Sequence, residues 1–243
     1  MSKNNPKKFD RAELERKLSR REVIKNAASG ALIIAIGGGL YKVSSDLIIS
    51  NAFAEKRPDG KARLPPGQKV IEALKPMGGQ PYTGKPENWS LKIYGEVEKP
   101  MTLTWDKYSS AKHVKQSADV HCVTGWSLLG GVWTGLKLLD LAKAVKPKSS
   151  ARHVIFEAAH GYTANVPIKE ALKNNCMITH QLNGRVFARR HGAPVRALIP
   201  DLYFWKSAKW ITGIRFSKRD EPGYWETRGY HNHADPWKEE RYS

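Results

Sequence analysis

The sequence predicts a mixed α+β domain, and three observations lead to that prediction. Short segments with the apolar patterns of strands recur between Trp89 and Phe216. Helical spacing occurs only in brief stretches, without the long regular helices of repeated strand–helix–strand units. The length of 243 residues allows one large domain or two small ones with a substantial core.

Strand and helix patterns alternate through the first half of this domain. Residues 89–97 alternate apolar and polar side chains, which is the period of a half-buried strand. A capped short helix is predicted over 104–108, and a strand over 115–123. Apolar residues at helical spacing predict a helix over 136–144, which Pro147 ends.

The second half is predicted to contain mostly strands. Asn183-Gly184 is a typical type I′ turn signal and predicts a hairpin around it. The predicted elements are strands at 153–158 and 162–167, a short helix at 168–174, the hairpin at 182–187, and strands at 195–200 and 210–216. We find no internal repeat.

Residues 1–54 have the pattern of a twin-arginine export signal. A basic region around Arg20-Arg21 precedes an apolar run over 27–41, and Ala52-Phe53-Ala54 has the small-x-small pattern of a cleavage site. The run is glycine-interrupted and shorter than the roughly 20 apolar residues of a spanning helix. An uncleaved membrane anchor and an amphipathic helix are the alternatives. The signal predicts a periplasmic, extracytoplasmic location.

Two further regions follow the export signal along the chain. Residues 55–88 are rich in Pro, Gly and Lys, which predicts an irregular extended segment, and residues 89–243 form the predicted domain.

The export route also bears on the function. Twin-arginine substrates resemble one another in crossing the membrane already folded, often with a cofactor inserted. A cofactor enzyme is therefore favoured.

The charge and the cysteines set further bounds. A formal net charge of +18 favours anionic partners, but the basic residues are scattered and no nucleic-acid-binding signature accompanies them. We therefore expect no nucleic acid partner. Cys122 and Cys176 could form one disulfide, or Cys122 could bind a metal and leave Cys176 as a free thiol.

The first candidate site is Cys122, which ends a short apolar run and precedes a Gly-Trp-Ser turn. A thiolate presented at a strand end is a suitable ligand for a soft metal. A lone cysteine is otherwise a small buried hydrophobic residue. His121 could orient this ligand or shuttle a proton, or it could be a packed histidine.

The second candidate site combines the loops at 191–196 and 205–210. They carry one imidazole, one guanidinium, two ammonium groups and a hydroxyl, from His191, Arg196, Lys206, Lys209 and Ser207. Such groups could form a pocket for an anionic cofactor rich in hydrogen-bond acceptors. A solvated basic surface is the alternative.

Several motifs resemble those of the sulfite oxidase-like molybdopterin oxidoreductases. Residues 121–127, with 133–135 after them, are similar to that family's cysteine motif. Residues 191–196 and 206–210 resemble its pterin-binding segments, in the same order. Residues 222–231 resemble a bacterial branch, and the match runs from Trp89 to the C-terminus.

The resemblance implies a molybdenum–molybdopterin cofactor and oxygen-atom transfer on a small sulfur substrate. Cys122 would be the protein ligand of molybdenum. His191, Arg196, Ser207 and Lys209 would hold the pterin and its phosphate, with Lys206 beside them. The implied fold is the mixed sulfite oxidase-like molybdopterin-binding fold.

The sequence also departs from the family pattern. It has no segment for the immunoglobulin-like dimerisation domain that follows the pterin domain of sulfite oxidases, and no CxxCH haem motif. We therefore expect a monomer that exchanges electrons with a separate partner, a cytochrome or a membrane haem protein. The substrate-binding arginine of the sulfite enzymes has no counterpart in residues 82–88. A protein-methionine-sulfoxide reductase-like subunit is thus a rival, although those reductases usually carry a different residue at His191.

A different class of function is also open. The chain could be a non-catalytic exported module that binds an acidic partner through its basic surface.

Overall fold

The computed structural model describes residues 33–36, 39–42, 55–79 and 84–243. The chain divides into two compact units, Met1–Ala54 and Glu55–Ser243. In the first unit, β1 (Ile33–Ile36) and β2 (Gly39–Lys42) pair as an antiparallel hairpin. The predicted twin-arginine and cleavage motifs lie outside the described residues. Among the described residues, no helix has the length and apolar character needed to cross a membrane.

In its described residues, the second unit consists of two sheets with three short helices. Its strands are β3 (Lys69–Val70), β4 (Ser90–Gly95), β5 (Met101–Thr104), β6 (Val114–Cys122), β7 (Trp126–Lys137), β8 (His153–Ala158), β9 (Thr163–Pro167), β10 (Met177–Leu182), β11 (Arg185–Val186), β12 (Arg196–Leu198) and β13 (Ile211–Ser217). Its helices are α1 (Trp105–Ser109), α2 (Leu138–Val145) and α3 (Ile168–Ala171).

One sheet has the strand order β5-β4-β13-β8-β9, and only the β4–β13 pair is parallel. In the other sheet, β7 pairs along its length with β6. The opposite edge of β7 takes β3 near its start and β10 near its end. β10 in turn pairs with β11 and β12. The candidate cysteine therefore ends a strand of the second sheet.

The helix α2 shows how the sequence forms the core. Leu138, Leu141, Ala142 and Val145 are buried, and this spacing puts them on one face of the helix. Burying each Leu or Val side chain contributes about 1.5–3 kcal/mol. Lys146 then adopts a left-handed conformation, with φ of 54°, before Pro147, so the helix ends there.

The predicted α+β class is confirmed, since the unit has mixed sheets and few helices. The predicted strands at 89–97, 115–123, 153–158, 162–167, 195–200 and 210–216 all overlap observed strands, and the 182–187 hairpin is β10–β11. Strands β3, β5, β7 and most of β10 were not predicted, and β3 lies in the segment 55–88 that was predicted to be irregular. After Ser217 the described residues form short 3-10 turns and an isolated bridge between Tyr230 and Tyr242.

Candidate active site

The hairpin between β6 and β7 positions Cys122. The residue faces Trp126 across the hairpin, and Gly125 N–H donates to the Cys122 carbonyl at 3.0 Å. Gly125 has a φ of +85°, and a Cβ there would lie 3.3 Å from the Gly67 carbonyl oxygen, so this turn requires glycine. The Cys122 side chain is 6% exposed, and its Sγ lies 3.2 Å from Thr124 Oγ1.

Two hydrogen-bond donors near Cys122 have no acceptor. The Tyr203 hydroxyl and the Trp126 indole N–H are both buried without a partner among the described residues. Trp126 is the cross-strand partner of Cys122. The guanidinium of Arg241, 5.5 Å from the Tyr203 ring centroid, donates to the carbonyl of Val123, the residue next to Cys122. Burial raises the pKa of Tyr203. A buried, unpaired donor costs about 1–3 kcal/mol, which a bound group with acceptor atoms would recover.

His121 lies on the opposite face of β6, because successive strand residues point to opposite sides of a sheet. Its Nδ1 is 2.8 Å from Ser127 Oγ, and its ring packs edge-on against Trp237 with centroids 5.1 Å apart. Burial lowers the pKa of His121 to about 4, so the imidazole is neutral at physiological pH. This geometry favours the packed histidine over the catalytic one.

Gln68 connects the two faces of β6. Its side chain accepts from Ser127 Oγ at 3.1 Å and donates to the Cys122 carbonyl at 3.1 Å. The His121–Ser127–Gln68 chain therefore fixes the backbone of Cys122 rather than its sulfur. Sequence patterns gave no signal for Gln68, which comes from the segment predicted to be irregular.

Arg196 is a buried cation whose hydrogen bonds go to backbone carbonyls. Its guanidinium donates to the carbonyls of His191 at 3.0 Å and Ser207 at 2.8 Å, and lies 4.1 Å from the Phe204 ring centroid. Burial lowers the pKa of Arg196 to about 9. Among the described residues no carboxylate neutralises it, so an anion that reaches the guanidinium would be strongly attracted to it.

His191 and Lys209 converge on Arg196 at Gly192. A Cβ on Gly192 would lie 3.0 Å from Arg196 Cβ and 3.2 Å from Lys209 Cβ. Lys209 Nζ donates to the Arg190 carbonyl at 3.1 Å and to that of Met77. Burial, followed by the charge of Arg196, lowers the pKa of Lys209 to about 7. Burial and the neighbouring cations also lower the pKa of His191.

The structure connects this cationic pocket to Cys122 through Phe204. The Phe204 ring lies 6.0 Å from the ring of Trp126, the cross-strand partner of Cys122. Phe204 and Ala193 pack against the apolar cluster that contains Cys122. Arg196, 4.1 Å from the Phe204 ring centroid, therefore flanks the same cluster as the thiol. Lys209 and the His191 carbonyl adjoin Arg196.

The other two predicted cofactor ligands have different surroundings. Ser207 Oγ accepts from Ile199 N–H at 2.8 Å, and its own hydrogen has no acceptor among the described residues. Lys206 Nζ is directed to Asn165, Asn232 and Glu226, with a distance of 2.5 Å to Glu226 Oε1. The donors of Lys206 are thus used within the protein, which favours a structural role over the predicted place beside the pterin.

The remaining candidates are resolved more simply. Cys122 and Cys176 are both free thiols, and burial raises the pKa of Cys176 to about 12. The described residues contain no cluster of three His, Cys, Asp or Glu side chains able to hold a metal. A shallow depression on β4 and β5, lined by Lys92 and Tyr94 among others, contains none of the candidate site residues.

The described residues thus contain a free thiol at a hairpin end, two buried donors without acceptors and two cations without a carboxylate partner. Residues 77–225 match the family described as Oxidoreductase molybdopterin binding domain. The chain belongs to this family of sulfite oxidase-like molybdopterin oxidoreductases, as its motifs predicted.

Two relatives show how far the likeness extends. The chain is 38% identical to the uncharacterized oxidoreductase YuiH of Bacillus subtilis over 190 residues, covering 77% of this chain and 96% of YuiH. It is 29% identical to the protein-methionine-sulfoxide reductase catalytic subunit MsrP of Burkholderia mallei, covering 63% of this chain. The chain spans about half, 53%, of the length of that MsrP.

A solved structure shows the same fold. The sulfane dehydrogenase SoxCD of Paracoccus pantotrophus superposes with a TM-score of 0.54 at 16% identity. The match covers 65% of this chain and 46% of the SoxCD chain. This likeness supports the predicted sulfite oxidase-like fold.

Proposed function

We propose that the protein uses a molybdenum–molybdopterin cofactor, with Cys122 as the protein ligand of the metal, to transfer an oxygen atom to or from a small sulfur compound. The observation that carries the proposal is the pocket formed by His191, Arg196 and Lys209. Among the described residues, Arg196 and Lys209 are desolvated without a carboxylate partner, and Arg196 lies 4.1 Å from the ring centroid of Phe204, which packs against the apolar cluster of Cys122.

The residues of the site have separate tasks in this proposal. Arg196 and Lys209 bind the phosphate of the pterin, and the charge of the phosphate offsets their burial. Ser207 donates its free hydrogen to the same cofactor. The molybdenum, when bound, supplies a two-electron redox centre for oxygen-atom transfer.

The residues around Cys122 orient and shield the metal position. The Tyr203 O–H and Trp126 N–H groups, which have no acceptor among the described residues, would donate to acceptor atoms of the bound cofactor. The apolar cluster of Trp126, Leu128 and Trp133 excludes water from one side of the thiolate. A dry surrounding strengthens the electrostatic contacts made by these donors.

The substrate and the cellular setting also belong to the proposal. A sulfur compound is supported by the names of two similar proteins, a methionine-sulfoxide reductase subunit and a sulfane dehydrogenase. Location in the periplasm is supported by Arg20-Arg21 and the apolar run after it. We also propose that the protein acts as a monomer. Because the sequence has no CxxCH motif, we propose that it exchanges electrons with a separate cytochrome or membrane haem protein.

Metal and pterin analysis of the full chain, purified from a molybdenum-replete host, tests the proposal. We expect one molybdenum and one pterin per chain, and loss of turnover in Cys122→Ser with an unchanged circular dichroism spectrum. Sulfite and methionine sulfoxide, each assayed with a redox dye, distinguish the two substrates. A wild-type protein that folds without binding molybdenum or pterin contradicts the proposal.

A further inference from the structure

The C-terminal segment, residues 230–243, returns to the turn that carries Cys122. Tyr230 and Tyr242 form an isolated antiparallel bridge, and His231 N–H donates to the Arg241 carbonyl at 3.2 Å. Because these contacts close the segment on itself, the position of Arg241 is fixed relative to Tyr230.

Ion pairs tie this segment to the rest of the domain. His233 bridges two carboxylates, with its Nε2 2.7 Å from Glu170 Oε1 and its Nδ1 2.8 Å from Glu240 Oε2. Lys61 Nζ lies 3.1 Å from Asp235 Oδ2. The segment is therefore held at both α3 and the strand-poor region before β3.

Arg241 extends from this segment to the Cys122 turn. One Nη donates to the carbonyl of Val123, the residue that follows Cys122. The other Nη would lie 3.2 Å from a Cβ on Gly67, and the guanidinium carbon is 5.5 Å from the Tyr203 ring centroid. The guanidinium thus shares its surroundings with the unpaired Tyr203 hydroxyl.

The charge of Arg241 is only weakly neutralised. The nearest carboxylate, Glu239 Oε1, lies 3.5 Å from Nη2, and its side chain is 52% exposed against 22% for Arg241. By contrast, Arg215 makes 2.7 and 2.8 Å contacts with the two carboxylate oxygens of Glu221. Among the described residues Arg241 Nε–H has no acceptor, so donors remain available for a second anion.

We propose that Arg241 is a substrate-binding residue that holds an anionic oxygen of a sulfur oxyanion at the mouth of the site. A guanidinium recognises such an oxyanion through two parallel hydrogen bonds, which an ammonium group cannot reproduce. The inference rests on the proposed function for the position of the reacting metal. It adds that the C-terminal segment completes the site and determines its preference for charged substrates.

Sulfate binding to the purified molybdenum-loaded protein tests this directly, because sulfate is an inert oxyanion and the phosphate pocket is then filled by the cofactor. In isothermal titration calorimetry we expect Arg241→Gln to weaken sulfate binding by about 10-fold to 100-fold, the range for a hydrogen bond to a charged group. Arg241→Lys should recover only part of this loss. Glu239→Gln should strengthen binding, because it removes the competing carboxylate.

Arg228 provides a matched control. Its guanidinium also stacks on a tyrosine, 3.6 Å from the Tyr224 ring centroid, and donates to a backbone carbonyl, that of Tyr224. We expect Arg228→Gln to leave sulfate binding unchanged. The inference is wrong if Arg241→Gln and Arg228→Gln weaken sulfate binding equally. It is also wrong if Arg241→Gln has the wild-type melting temperature and binds sulfate as tightly as the wild type.

Steady-state kinetics separate this inference from the proposed function. For an anionic substrate, Arg241→Gln should raise KM by about 10-fold or more with little change in kcat, while KM for a neutral sulfoxide stays constant. If Arg241→Gln changes KM equally for both substrates, the inference about Arg241 is wrong, while the proposed oxidoreductase function still stands. If the wild type shows no turnover but binds sulfate in an Arg241-dependent way, the proposed function is wrong, while the anion-binding role of Arg241 still stands.

Discussion

Replacing Lys206 by methionine tests whether this buried cation supports the fold or the cofactor. Lys206 is 0% exposed, and it lies 2.5 Å from Glu226, whose side chain is 2% exposed. Its Nζ also donates to the Asn165 carbonyl at 2.9 Å and the Asn232 carbonyl at 2.7 Å. In Lys206→Met, Glu226 keeps the hydrogen bond from Trp205 Nε1 at 2.9 Å but loses its counter-charge.

The magnitude follows from the charge left behind. Removing one partner of a buried ion pair typically costs about 3–5 kcal/mol, because the remaining charge is desolvated and unpaired. For a domain of this size each kcal/mol shifts the melting temperature by about 2–4 °C, so Lys206→Met should lower it by roughly 10 °C. Replacing Glu226 as well, by leucine, should recover part of the loss, since no charge is then stranded.

Thermal unfolding of the cofactor-free protein, followed by circular dichroism, measures this effect without the cofactor. Lys209→Met is the matched control. It removes a desolvated lysine that has no carboxylate partner among the described residues, so the cofactor-free protein should not lose stability. It should instead bind the cofactor more weakly. Suppose that cofactor-free Lys206→Met has the melting temperature of the wild type, while the cofactor-loaded variant contains less pterin than the wild type. Lys206 then binds the cofactor, and the structural role assigned to it is wrong.

Three predictions concern pH. The pKa of Lys209 is lowered to about 7, so between pH 7 and 10.5 the unfolded chain binds more protons than the folded protein. The free energy of unfolding of the cofactor-free protein, measured by urea titration, should therefore rise from pH 7 to 10.5. Lys209→Met should not show this rise. The pKa of His121 is lowered to about 4, so stability should fall by up to about 3 kcal/mol from pH 7 to pH 4, and His121→Gln should reduce this loss. Hydrogen bonds to Glu170 and Glu240 raise the pKa of His233, so its stabilisation of the folded protein is present below pH 6.5 and is lost at higher pH. His233→Gln should remove this part of the pH dependence of the melting temperature.

The sequence predicted the strand that ends at Cys122 but not its partner β7. Glycines 130, 131 and 135 interrupt the apolar pattern of β7 and resemble turn signals. The structure gives their reason: a Cβ on Gly135 would lie 1.9 Å from the Ile178 carbonyl oxygen, and one on Gly131 would lie 3.0 Å from a Leu182 methyl carbon. Strand β10 approaches closely here, and only the tertiary structure reveals such an approach.

The basic residue types of the second candidate site were also predictable. Which of these cations pair with a carboxylate of the protein, and which do not, was not predictable. Loops rich in Lys, Arg and His predicted a cationic pocket, and in the structure Arg196 and Lys209 lie together beside Gly192. The partner of Lys206, Glu226, comes from a segment that local patterns do not connect to it. The position of Arg241 depends in the same way on long-range contacts of the C-terminal segment, so no local spacing could indicate it.

The presence of a carboxylate partner distinguishes the structural cations of this protein from those available to ligands. Lys206 and Arg215 are matched by Glu226 and Glu221 within 2.9 Å, so an additional anion would have to displace a carboxylate that the fold already supplies. Among the described residues, the buried Arg196 and the half-buried Lys209 have no such partner. Folding leaves their desolvation cost uncompensated, and an anionic ligand recovers that free energy on binding. The same residues should therefore destabilise the cofactor-free protein and contribute most to the stability gained when the cofactor binds.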